Sequence, residues 1–303
     1  MNGILNVYKP SGLTSHAVVS RIRKFYGVKK AGHAGTLDPM ATGVLPVLIG
    51  SATSVQDMLT GHDKVYRAGV LFGVITDTAD ITGNVIAESE VSFDESDLLG
   101  VINGFIGKQK QVPPMYSALQ KDGVRLYDLA RRGIEVEREA RDITVYSIDV
   151  AEPFDGRRCV LDISCSKGTY IRTLCEDIGK KLGCGAALQS LERLSCGSFS
   201  AKDAVKLEDI EELYKKGDVS SLEGLLVSPK VLFEGLPEVR IADFYVRLAL
   251  NGAEIYLKKA GIKEEIFDGK DICRMCDKSG NFFATGVLSD YPDGKAIKIK
   301  YRF

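Results

Sequence analysis

The segment Gly32-His33-Ala34-Gly35-Thr36-Leu37-Asp38-Pro39-Met40-Ala41-Thr42-Gly43 contains the first carboxylate of the chain, at Asp38. Its glycines permit backbone conformations and close approaches that a Cβ forbids. Pro39 restricts Asp38 to extended geometry and so helps to hold its carboxylate in one direction. A carboxylate held this way can attack as a nucleophile or remove a proton. By residue type alone, an Asx-type turn capped by Asp38 explains the loop equally well. The segment matches neither a G-x-x-x-x-G-K-[ST] phosphate loop nor a G-x-G-x-x-G dinucleotide turn, which counts against nucleoside triphosphates and NAD.

No acidic residue precedes Asp38, whereas Lys9, Arg21, Arg23, Lys24, Lys29 and Lys30 are basic. The net charge of −1 does not by itself suggest a nucleic-acid partner, but this distribution does. Two readings fit it: a solvated helix face, or a phosphate-contacting edge leading to a site. The seven cysteines are odd in number and do not space like a disulfide framework. Cys159, Leu161, Ile163 and Cys165 alternate with Val160, Asp162 and Ser164, as on one buried face of a strand. Cys273 and Cys276 form a lone C-x-x-C, far from all three histidines (His16, His33, His62), within a strand-like run that sends the two thiols to opposite faces. No metal site is expected.

Further motifs place the Asp38 loop in a longer pattern. Asn6-Val7-Tyr8-Lys9-Pro10-Ser11-Gly12 precedes it. Asp63-Lys64-Val65-Tyr66-Arg67, Pro114-Met115-Tyr116-Ser117-Ala118, Arg138-Glu139-Ala140-Arg141 and Ser166-Lys167-Gly168-Thr169-Tyr170-Ile171-Arg172-Thr173 follow in that order. Together they resemble the motifs of the TruB family of tRNA pseudouridine synthases and cover most of the first two thirds of the chain. The resemblance implies an isomerase that converts the TΨC-loop uridine of tRNA to pseudouridine by flipping the base out of its stack. The N1–C1′ glycosidic bond breaks, the base turns, and it rejoins the sugar through C5. No cofactor is implied, since no group is added and no redox change occurs.

The resemblance also implies roles. Asp38 matches the aspartate that acts on the nucleotide, and Arg172 matches the arginine that pairs with it, keeping it ionised and oriented. Tyr66 matches the tyrosine that stacks on the extruded base and relays the proton lost from C5. Leu191, in Ser190-Leu191-Glu192-Arg193-Leu194, matches an apolar residue on the other side of that base. His33 matches the histidine that fills the hole left by the nucleotide and so recovers part of the lost stacking. Tyr170, beside Arg172 in its motif, joins the substrate-binding set. Lys9, Lys64 and the basic stretch Arg21 to Lys30 are expected phosphate contacts. Without the resemblance, Arg172 reads as a surface charge or phosphate contact, Tyr66 as a half-buried strand residue, and Leu191 as plain core.

Elements must hold these residues in place. Ile4 to Tyr8 reads as a strand, and Val18, Val19, Ile22 and Phe25 follow helical spacing after a cap at Thr14 or Ser15. Val44 to Ile49 and Val65 to Phe72 read as strands, with Tyr66, Ala68, Val70 and Phe72 on one face and Arg67 on the other. Strands at Ile143 to Val150 and Cys159 to Cys165 precede a helix with Ile171, Leu174, Ile178 and Leu182 as its apolar stripe, and Arg172 falls off that stripe. Strands and helices alternate without a βαβ repeat. The fold class is therefore α+β: a pseudouridine synthase fold with a mixed, largely antiparallel central sheet flanked by helices.

Prolines and Gly235 between Ser228 and Pro237 suggest a boundary, giving a catalytic domain over 1–236 and a small β-rich domain over 237–303. By position and strand pattern the second resembles a PUA-like RNA-binding domain; a stabilising appendage is the plainer reading. The start of the chain lacks the charge and apolar pattern of a signal peptide, and no apolar run is long enough to span a bilayer. The expectation is a cytoplasmic, monomeric, bacterial-type enzyme that acts on the T-stem-loop of tRNA without guide RNA or membrane. A noncatalytic tRNA-binding or folding protein using the same surface, and a pseudouridine synthase with another RNA target, are the alternatives.

Overall fold

Nearly every residue of β1 (Gly3–Lys9) is buried, Asn6 and Lys9 included, because this strand lies inside a sheet covered on both faces. Its residues alternate between two cores: Leu5 and Val7 enter one, Ile4 the other. The computed structural model describes residues 1–303. After β1 come α1 (Ser15–Phe25), β2 (Ala31–His33), β3 (Thr42–Ile49), α2 (Gln56–Thr60), β4 (Lys64–Phe72), β5 (Val74–Thr76), β6 (Val85–Glu88), α3 (Glu95–Asn103) and β7 (Gly107–Gln111). A hairpin of β8 (Gln120–Lys121) and β9 (Val124–Arg125) leads through α4 (Leu126–Arg131) to β10 (Arg141–Glu152), β11 (Arg158–Cys165) and α5 (Ile171–Lys181). Strands β12 (Ala186–Cys196), β13 (Phe199–Ser200) and β14 (Val205–Lys206) and helices α6 (Leu207–Lys216) and α7 (Val219–Gly224) complete the larger unit.

Its sheet has ten strands, with the main order β14-β1-β3-β12-β4-β11-β10-β7. The β1–β14 and β3–β12 ladders are parallel and the others antiparallel, so the sheet is mixed and mostly antiparallel. Helix α1 is capped by Thr14, whose hydroxyl accepts from the Ala17 amide at 3.1 Å. It buries Val18, Val19, Ile22 and Phe25 against the sheet and leaves Arg21, Arg23 and Lys24 exposed. Cys159, Leu161, Ile163 and Cys165 of β11 all enter the same core.

The smaller unit contains β15 (Glu238–Arg240), α8 (Asp243–Leu250), β16 (Ile255–Tyr256), α9 (Leu257–Ala260), β17 (Ile272–Cys276), β18 (Phe282–Tyr291) and β19 (Gly294–Arg302). Its five strands lie in the order β15-β17-β18-β19-β16 and share no ladder with the larger sheet. The short-strand reading of this segment missed α8, whose unbroken run from Asp243 to Leu250 holds no glycine or proline. Helices α6 and α7 are separated where Gly217 takes a left-handed φ of 69° and ends the first of them. Cys273 and Cys276 do point to opposite faces: Cys273 packs in the small unit's own core. Cys276 joins Phe233 and Phe282 in a core shared with Ile4, Val44 and Leu48 of the large sheet.

Candidate active site

Asp38 lies in the loop between β2 and β3, and both of its neighbours are pinned. The buried Ser15 hydroxyl, at the first residue of α1, accepts from the Leu37 amide at 2.8 Å and donates to the Leu37 carbonyl at 3.0 Å. The Pro39 carbonyl accepts from the Gly12 amide at 2.8 Å and from Lys9 Nζ at 3.2 Å. The Asp38 carbonyl accepts from the Ala41 amide at 3.1 Å and closes the turn. The loop rejoins the sheet at Gly43, whose φ is +99°. There the parallel partner Arg193 comes so near that a Cβ on Gly43 would sit 2.3 Å from the Arg193 carbonyl oxygen. Only glycine fits this position.

Arg172, in the first turn of α5, faces the Asp38 carboxylate with a two-pronged contact: Nε to Oδ2 at 2.9 Å and Nη2 to Oδ1 at 3.4 Å. Its side chain is only 5% exposed, while that of Asp38 is 35% exposed, so the carboxylate is the member of the pair that solvent reaches. The rest of the guanidinium donates to the carbonyls of Tyr116 at 2.7 Å and Thr78 at 3.1 Å. Arg172 is off the apolar stripe, as read from the sequence, yet it is buried; the surface-charge reading does not fit it. Burial lifts the Asp38 carboxyl above the ordinary carboxylate range; Arg172 opposes the rise and Asp80 adds to it.

Asp80 is the site residue that sequence reasoning missed. It is buried, with Oδ2 3.7 Å from Arg172 Nη1, and lies in a turn where Ala79 takes a left-handed φ of 60°. Its Oδ1 accepts from the Thr78 hydroxyl and from the Thr82 amide, each at 2.9 Å. The sequence signal, two aspartates among three threonines from Thr76 to Thr82, says turn and nothing more specific.

Tyr66 and Leu191 lie on adjacent strands and the same face: Leu191 pairs across the ladder with Ala68, and Tyr66 with Arg193 and Ile163. Both are buried in the main core, the same cluster that takes in Leu37 and Ala41 on either side of Asp38. Burial pushes the Tyr66 hydroxyl pKa up, while the neighbouring Arg193 pulls it down. His33 is half-buried on β2, its Nδ1 without a hydrogen-bond partner. Burial and the nearby Arg193 charge hold its pKa below the usual histidine value, which favours the uncharged ring. Tyr170 caps α5; its amide and carbonyl are both held by the Gln111 side chain, at 2.8 and 3.1 Å. Its hydroxyl is raised mainly by burial and lies within the electrostatic reach of Arg172 and Asp38.

Two expected phosphate contacts are elsewhere engaged. Lys9 is fully buried, and its ammonium donates to the carbonyls of Pro10 at 2.9 Å, Leu13 at 2.7 Å and Pro39 at 3.2 Å. Lys64 is buried too and donates to the carbonyls of Thr60, at 2.8 Å, and His62. Both bind this chain's own backbone, and neither ammonium faces solvent where a phosphate would arrive. The exposed cations are instead Arg21, Arg23, Lys24, Lys29 and Lys30.

The family model described as TruB family pseudouridylate synthase (N terminal domain) matches residues 23–171. That described as tRNA pseudouridylate synthase B C-terminal domain matches residues 172–230. The tRNA pseudouridine synthase B of Clostridium perfringens is 41% identical over 301 residues, covering 99% of this chain and 98% of the relative. That of Syntrophotalea carbinolica is 52% identical over 214 residues, 70% of this chain and 69% of the relative. A chain of a solved Cbf5-Nop10-Gar1 complex superposes with a TM-score of 0.72 at 28% identity, covering 98% of this chain and 83% of that one. A chain of an H/ACA RNP bound to a substrate RNA containing 2′-deoxyuridine gives a TM-score of 0.72 at 26% identity, covering 99% and 84%. With an aspartate–arginine pair formed between a loop of the mixed sheet and the first turn of α5, and with relatives alike over nearly its whole length, this chain belongs to the TruB family of tRNA pseudouridine synthases.

Proposed function

We propose that this isomerase acts on the TΨC-loop uridine of tRNA, with Asp38 as the group that attacks the target nucleotide. The observation that carries the reading is the asymmetric pair: a partly exposed carboxylate gripped by a buried, fully oriented guanidinium. The reaction breaks N1–C1′ and forms C5–C1′, moves a proton off C5 and leaves one on N1. Asp38 takes part as an anion, either by bonding to the nucleotide or by removing a sugar proton, and Arg172 keeps the anion aimed. The target base leaves its stack to reach the pocket, where Tyr66 and Leu191 form opposing walls. Tyr66 receives the C5 proton. The His33 ring takes the vacated place in the RNA.

The exposed cations of α1 and the residues after it track the phosphate backbone. Lys29, Lys30, Ser51 and Ser54 meet Lys300 and Arg302 of β19 in an open cleft of about 720 Å³, which supports an RNA-binding, PUA-like role for the C-terminal unit. Seven buried, unpaired cysteines suit the reducing cytoplasm.

The test is tritium release from C5-labelled uridine in an unmodified tRNA transcript. Release is expected with the intact enzyme and is expected to vanish in Asp38→Asn while RNA binding persists. Normal turnover by Asp38→Asn would remove the catalytic assignment. Mapping pseudouridine in cellular tRNA from a deletion strain identifies the target; an unchanged TΨC loop would refute it.

A further inference from the structure

Arg193 is among the most deeply buried side chains of the protein, 1% exposed, and belongs to none of its ion pairs. A guanidinium removed from water with no counter-charge is destabilising, and here the buried ammonium groups of Lys9 and Lys64 are close enough to feel its repulsion. Its hydrogen bonds go to backbone: Nε to the Val44 carbonyl at 2.7 Å and Nη2 to the Gly35 carbonyl at 3.1 Å. Those two acceptors lie on either side of Asp38 in the sequence. Across the sheet, Arg193 is the direct ladder partner of Tyr66, a position where side chains of neighbouring strands touch. One buried cation therefore ties both ends of the Asp38 loop to the sheet position directly opposite Tyr66.

We propose that Arg193 is a positioning residue for the proton step: it fixes the Tyr66 oxygen beneath the Asp38 loop and stabilises the phenolate that accepts the C5 proton. This rests on the reading of Tyr66 as that acceptor. In the step, the phenolate takes the proton as the C5–H bond breaks, its electron pair restoring the ring double bond. The resulting phenol returns the proton to water, and no oxidant or co-reactant enters. A cation without a carboxylate suits the task, because a neighbouring carboxylate would cancel the field that favours the phenolate. The electrostatic influence of Arg193 on the Tyr66 hydroxyl has the required sign.

The experiment measures single-turnover tritium release against pH for the intact enzyme, Arg193→Lys, Arg193→Gln and Tyr66→Phe. Folding is checked by thermal melting; should Arg193→Gln fail to fold, the charge-keeping lysine variant carries the test. Arg193→Gln is expected to slow release about 100-fold with RNA affinity changed less than about threefold, the smaller loss in Arg193→Lys. The rising basic limb of the profile should move to higher pH in Arg193→Gln. Installing 3-fluorotyrosine at position 66, which acidifies the phenol, should restore roughly tenfold of the loss in Arg193→Gln and little in the intact enzyme. An unmoved limb, no rescue, or a loss confined to affinity overturns the proposal while leaving Tyr66 in place. A fully active Tyr66→Phe overturns the reading of Tyr66, and this inference with it.

Discussion

Arg172 Nε and Asp38 Oδ2 are 2.9 Å apart although 134 positions separate them in the chain. The orientation is transmitted in series. Carbonyls of Tyr116 and Thr78 fix the guanidinium, and the guanidinium fixes the carboxylate. A fork with this many assigned donors is not replaced by a point charge.

Arg172→Lys and Asp80→Asn should therefore both slow turnover but displace its pH dependence in opposite directions. Arg172 opposes the burial-driven rise of Asp38 through both its charge and its hydrogen bond; lysine keeps the charge but loses the paired fork, so Asp38 stays protonated to higher pH and the acid limb of kcat moves upward. Asp80 repels the Asp38 anion, so Asp80→Asn moves the limb downward. We expect about a 100-fold loss for Arg172→Lys and about tenfold for Asp80→Asn, with RNA affinity nearly unchanged. Displacement in the same direction would contradict the three-member cluster.

Ser15→Ala removes both hydrogen bonds that pin Leu37 beside Asp38. A buried polar pair left without its partner costs about 1–3 kcal/mol, which urea unfolding measures. Turnover should fall about tenfold as the loop loosens, since small displacements of a reacting group are expensive. Unchanged kcat would mean that Pro39 and its partners suffice.

Burial pushes Lys9 down to about 8 from 10.5. The unfolded chain then holds this proton more tightly than the folded one, so stability from Lys9 rises with pH between about 8 and 10.5. Below that window the folded protein carries the whole cost of the buried charge, about 3 kcal/mol; above it, none. Relative to Lys9→Met, the intact protein should gain about 2 kcal/mol between about pH 7 and 9.5 in urea unfolding. A flat difference would show that Lys9 remains charged throughout, held by its carbonyls.

What could be read from the sequence was what local pattern determines. Thr14, one of the two caps its residue type offered, caps α1; Tyr66 and Arg67 take opposite faces of β4 and the thiols of Cys159 and Cys165 share one core, both from a period of two. The family motifs brought Asp38 and Arg172 together on paper before any geometry did. Long charged side chains escaped. Nothing near Lys9 announces that its ammonium will bind a carbonyl 30 residues on. Nor does anything around Arg193 distinguish an outward strand charge from a buried one; that depends on β12 docking beside β3 and β4. Asp80 was hidden for the same reason, since its partner Arg172 comes from a distant helix.

The close approach of Gly43 to Arg193 has a consequence in time as well as space. Strands β1 and β3 are separated by about 40 positions of chain, but the bond from Arg193 to Val44 spans 149 positions. At roughly 5–20 residues per second, translation leaves the Asp38 loop without its floor for about 7–30 s. During that interval the nascent chain already displays its basic first helix, yet holds neither Arg172 nor the β12 platform. RNA can meet the growing protein electrostatically well before the protein can alter it, and chemical competence arrives only with the last third of synthesis.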